Sequence, residues 1–61
     1  MSQSQILDII RTDAAAFSMD PVLFLLDQAT ASRIDGDTYS ARHALQNART
    51  FRSMGHGPRL P

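Results

Sequence analysis

Two short punctuations divide this chain and leave it little choice of fold. At Asp20-Pro21 a side chain suited to capping precedes a proline at the first helical position, where its missing N–H costs nothing. At Asp35-Gly36-Asp37 a glycine able to take positive φ stops one helix and a second aspartate caps the next. The segments so defined read as helices over about 4–18, 21–33 and 38–54, followed by a tail over 55–61. Connections of about two to four residues make consecutive helices antiparallel neighbours. The expected fold is all-α. It is a small three-helix bundle, or a helical hairpin plus a third helix completed by a partner, with residues 1–54 as its single domain.

Local signals agree with this division. Ser2 and Gln5 have capping-box spacing, with Ser4 as an alternative cap. Ile6, Ile10 and Phe17 share a stripe on the first helix, flanked by Leu7, Ile9, Ala14 and Ala16; Val22, Leu25, Leu26 and Ala29 form the inner face of the second, and Ala41, Ala44, Leu45, Ala48 and Phe51 line the third. Gly55 ends the third helix. The prolines and glycines of His56-Gly57-Pro58-Arg59-Leu60-Pro61 keep the remainder extended. No internal repeat and no credible strand interrupts the pattern.

At 61 residues the chain is one small domain at most. A chain of this size buries only roughly 60% of its extended-chain surface. It has no cysteine, hence no disulfide and no thiolate metal site, and its compartment stays open on that ground. Association with itself or with a larger assembly is the remaining route to stability. The longest apolar run, Val22–Leu26, is five residues, against about 20 for a membrane span. No basic charge precedes the first apolar stretch, which argues against a secretory signal. The expected location is the cytoplasm, or a larger particle assembled there.

Charge is segregated along the chain. Residues 1–37 hold all six aspartates against Arg11 and Arg33, for a net −4. Residues 38–61 hold Arg42, Arg49, Arg52 and Arg59, for a net +4. Two of the acids have local work as caps. Asp13 and Arg52 each fall on an apolar stripe and, in an up-down-up bundle, near the same end, so an Asp13–Arg52 ion pair is expected. Arg42 and Arg49 share one edge of the third helix, beside a polar strip of His43, Asn47 and Thr50.

Chemistry has little to stand on. Asp35-Gly36-Asp37 resembles a calcium loop only in passing, because an EF-hand needs a terminal glutamate and position twelve from Asp35 is Gln46. His43 and His56 are too few and too far apart for a zinc cage. No nucleophile–base spacing and no phosphate loop is recognisable. No catalytic residue, metal or cofactor is expected. The apolar excess is the sharper clue. With Val22, Leu25 and Leu26 turned inward, Leu23 lies about 100° and Phe24 about 160° away. An exposed aromatic beside a leucine is an interface anchor.

The expectation is a small non-enzymatic protein–protein interaction module, acting as an oligomer or as an accessory subunit, adaptor or inhibitor docked on a larger assembly. Its partner-binding residues would be Leu23, Phe24, Arg42, Arg49, Arg59 and Leu60. A protein partner or self-association comes first, nucleic acid second, and no membrane. The alternative is a helix-turn-helix-like DNA-binding regulator presenting helix 38–54, with Asp35 and Asp37 awkwardly placed before the phosphates.

Overall fold

The computed structural model of the chain describes residues 1–57. The fold is all-α. Helices α1 (Gln3–Ala16), α2 (Pro21–Ile34) and α3 (Thr38–Ser53) follow one another, with no strand among the described residues. Every start is capped by the side chain that the sequence offers. Ser2 Oγ accepts from the Gln5 amide while Gln5 Oε1 accepts from the Ser2 amide, which completes a capping box. Asp20 accepts from the Val22 and Leu23 amides at the start of α2. Asp37 accepts from the Ser40 amide at 3.0 Å, and its hydrogen bonds with Ser40 hold its carboxyl below the ordinary value.

All three helices end in the same motif. The second residue past the cap donates to the carbonyl five residues back: Met19 to Ala14, Asp37 to Ser32, and His56 to Phe51. The motif needs a left-handed residue just before that donor. Gly36 and Gly55 fill the position after α2 and α3, but Ser18 fills it after α1, at φ 54°. A side chain there is strained, and α1 stops at Ala16, two residues sooner than its pattern suggests. Ser18→Gly is expected to stabilise the fold by about 0.5–1 kcal/mol, the relief of strain outweighing the added chain entropy. A urea midpoint that does not rise would contradict this.

The core is thin and rich in alanine. Val22, Leu25 and Ala29 of α2 meet Ala44, Ala48 and Phe51 of α3, and Leu7, Ile10 and Leu45 pack against them half-buried. Small residues on both helices let the two backbones approach closely. The hairpin is antiparallel along its whole length. Val22, at the start of α2, borders the same hollow as Arg49 and Arg52, while Arg33, near its end, borders one with Thr38 and Ala41.

Helix α1 lies on the other side, against Phe24. Its inward stripe is Leu7–Ile10–Ala14, in place of the expected Ile6–Ile10–Phe17. The reason is the early stop. Phe17 is the cap of α1 and leaves the helical wheel, and its ring stacks on that of Phe24 with centroids 5.9 Å apart. Phe17 itself is 69% exposed and acts as a cover. Phe24 is therefore buried, which corrects its assignment as an exposed anchor. It faces α1 rather than a partner.

The expected Asp13–Arg52 pair is absent. Among the described residues the one ion pair is Arg11–Asp8, at 3.5 Å. Asp13 stands about 100° from the buried Ala14, on the outward side of α1, and both it and Arg52 are exposed.

Candidate functional site

On a side of the α2–α3 hairpin where no α1 residue contributes, three open hollows of about 150, 300 and 200 Å³ share Leu45 and form a shallow groove along α3; α2 borders the first through Val22 and Leu26 and the third through Arg33, and the second is lined by α3 alone. Val22, Leu26 and Ala48 add to the apolar floor, and Arg33, Arg42, Arg49 and Arg52 stand along it. No carboxylate lines any of the three hollows. None of the four arginines pairs with a carboxylate among the described residues. The spacing follows from α3 itself. Arg42, Leu45, Arg49 and Arg52 recur at three- and four-residue steps, so they run down one edge of the helix beside its buried alanines.

The outer surface of α2 is apolar at its start and mixed beyond it. Leu23 is 44%, Leu26 38% and Ile34 81% exposed, with Asp27, Gln28, Thr30, Ala31 and Arg33 exposed between Leu26 and Ile34. A helix with apolar residues all round belongs in an interior. Here α1 and α3 cover about half of it, the side bearing Val22, Phe24, Leu25 and Ala29.

Of the expected partner contacts, Leu23, Arg42 and Arg49 are exposed on this side of the molecule, Arg42 and Arg49 at the groove and Leu23 on the adjoining face of α2. Phe24 is not, for the reason given above. Arg59 and Leu60 lie outside the described residues. Leu26, Ile34, Arg33 and Arg52 belong to the same surface although two of them were expected elsewhere, Leu26 on the inner face of α2 and Arg52 with Asp13; Leu45 packs half-buried on the core as expected and lines the hollows as well. The available signal was the second helix as a whole. Two neighbours cannot cover a segment that is apolar on every side.

Other polar features lie apart from the groove. The Tyr39 and His43 rings meet at 4.4 Å, tilted by 45°, on the exposed surface of α3. The chain after α3 turns back onto its own fold. The His56 ring meets Phe51 edge-on at 5.5 Å, and the Gly57 amide donates to Asp20 Oδ1 at 3.1 Å. A side chain at Gly57 would press on Val22, since a Cβ there would lie 3.3 Å from Val22 Cγ2, and its φ of 100° favours glycine as well. The two oxygens of Asp20 thus have different duties: Oδ2 caps α2 and Oδ1 holds the segment after α3.

Asparagine has only one acceptor oxygen and cannot meet both demands. Asp20→Asn is expected to keep the cap and release Gly57, at about 0.5–1.5 kcal/mol, with faster hydrogen exchange at the Gly57 amide than at Val22. Equal protection of both amides in the variant would contradict the assignment. No helix among the described residues is long and apolar enough to cross a membrane. No protein family, curated protein or solved structure matches this chain.

Proposed function

We propose that the chain is a small non-enzymatic protein-interaction module, a cytoplasmic accessory subunit, adaptor or inhibitor that docks through the outer side of α2 and the adjoining α2–α3 groove. One observation carries the reading. The start of α2, Val22–Leu26, is apolar on all sides and leaves Leu23 and Leu26 uncovered, with Ile34 exposed at the far end of the helix, beside hollows that share Leu45. Adjacent exposed leucines on so small a protein mark a contact site. The core supports the reading too, because five of its nine buried apolar residues are alanines and additional burial would strengthen the fold.

The DNA-regulator alternative draws on the same arginines and gains less from the geometry. A helix-turn-helix holds its two helices at roughly 90–120°, whereas α2 and α3 pack antiparallel from end to end. A phosphate backbone also has no use for Leu26, Ile34 or Leu45.

The test is site-directed photo-crosslinking in cells that express the protein. Photo-reactive groups at positions 26 and 34 are expected to give discrete adducts, with the protein itself or with another, while one at position 43, beside Tyr39, gives none. Adducts absent everywhere, or equal at all three positions, would count against docking at this surface. Salt-dependent binding of duplex DNA, lost on Arg42→Ala with Arg49→Ala, would move support to the regulator reading.

A further inference from the structure

The groove has a chemical bias that its apolar floor alone does not explain. Resting on the docking reading above, we propose that its occupant is an acidic amphipathic helix of another protein. The floor of Leu26, Leu45 and Ala48 accepts apolar side chains, and the four arginines beside it accept carboxylates. Guanidinium groups bind carboxylates bidentately, and their aliphatic stems extend the apolar surface at the rim. The chain is neutral overall, so this attraction is local to the groove.

Shape selects a helix. The lining residues of α3 run from Thr38 to Arg52, fourteen residue steps or about 21 Å at 1.5 Å per residue. That length accommodates about four turns of a guest helix presenting apolar residues at i, i+3 or i+4, and i+7. A row of hollows along one helix suits a cylinder better than a flat bilayer.

Charge selects a partner of different sequence. In a two-fold dimer the same patch meets itself, so closing two copies on this groove would bring eight arginines together with no carboxylate from either floor. Like charges across an interface oppose association. A second copy is therefore the disfavoured occupant even though the apolar surface alone would allow it.

The experiment is a selection from a displayed library of helices on the full chain. Leu and Ile are fixed at i, i+3, i+7 and i+10, and the flanking positions are randomised among Asp, Glu, Lys, Arg and Ser. Enrichment of Asp and Glu at the flanks is expected. A synthetic peptide of the enriched sequence should bind by fluorescence anisotropy and weaken about tenfold or more on Arg42→Ala with Arg49→Ala. It should weaken likewise on Leu45→Asp, with circular dichroism unchanged, and should not respond to His43→Ala. Binders with no charge preference, or with basic flanks, would overturn the acidic occupant and leave docking at the groove standing. No binders, together with a concentration-dependent dimer lost on Leu26→Asp, would assign the surface to a second copy instead. No binders and a monomer at every concentration would overturn both this proposal and the docking reading. The same holds for tighter binding to duplex DNA or anionic vesicles that survives Leu45→Asp.

Discussion

Phe51→Ala is expected to unfold the protein. The Phe51 ring is completely buried and joins every part of the fold. It belongs to the cluster that Val22, Leu25 and Ala29 of α2 build with α3, the His56 ring closes on its edge, and the Arg11 guanidinium of α1 lies 5.8 Å from its centroid. Truncating a buried phenylalanine costs about 3–5 kcal/mol. At about 0.05–0.15 kcal/mol per residue, that approaches the whole stability expected of a domain this small. The alanine-rich surroundings cannot refill the space, because their side chains have no further reach. Circular dichroism should show a chain largely unfolded at 25 °C. Phe51→Leu keeps most of the volume and should remain folded, at a cost below about 1.5 kcal/mol. A cooperative transition for the alanine variant within about 1 kcal/mol of the parent would refute the role assigned to this ring.

Phe24→Ser should be the second most damaging change, and its signature separates two accounts of this residue. As an interface anchor, Phe24 would leave the isolated fold intact when replaced. As the buried contact between α2 and the end of α1, it should cost about 3 kcal/mol or more when replaced by a small polar group. The loss should be the same at every protein concentration. Phe17→Ala removes only the exposed partner of the stacked pair and should cost about 0.5–1.5 kcal/mol. If Phe24→Ser left the urea midpoint in place and abolished association instead, the buried assignment would be wrong.

The helices were legible because their boundaries are set by neighbours in sequence. Asp20-Pro21, the Asp35-Gly36-Asp37 turn and the Ser2/Gln5 pair act within four residues of themselves, and each does in the structure what its chemistry suggests. The stripe of α3 was equally plain, since its alanines and Phe51 stand apart from a strongly polar remainder. The first helix misled because Ser18 is an unusual stop. With a glycine there, Phe17 would have read as a cap residue, and the inward stripe would have moved to Leu7, Ile10 and Ala14. The second helix gave no phase of its own. Five consecutive apolar residues fit any rotation, and the choice between Leu26 and Phe24 for the interior depended on where α1 came to lie.

Half of the candidate site shared that ambiguity. Arg42 and Arg49 were visible as an edge of α3. Arg33 and Arg52 joined them only once α2 and α3 were paired antiparallel, a relation that links residues at opposite ends of the hairpin. The segregation of charge along the sequence is therefore a coarse image of the surface. Arg33, from the acidic portion of the chain, stands at the basic groove.

The hydrogen bond from Gly57 to Asp20 has a consequence for the order in which the molecule assembles. Every other side-chain hydrogen bond among the described residues joins partners no more than four positions apart, whereas this one spans 37. Local contacts form fast and distant ones wait on loop closure. The three helices and the α2–α3 turn can therefore appear early, and the segment after α3 can settle on Asp20 only when the hairpin is already shut. The bond forms last and reports completion: protection of the Gly57 amide marks molecules in which both ends of the hairpin have met.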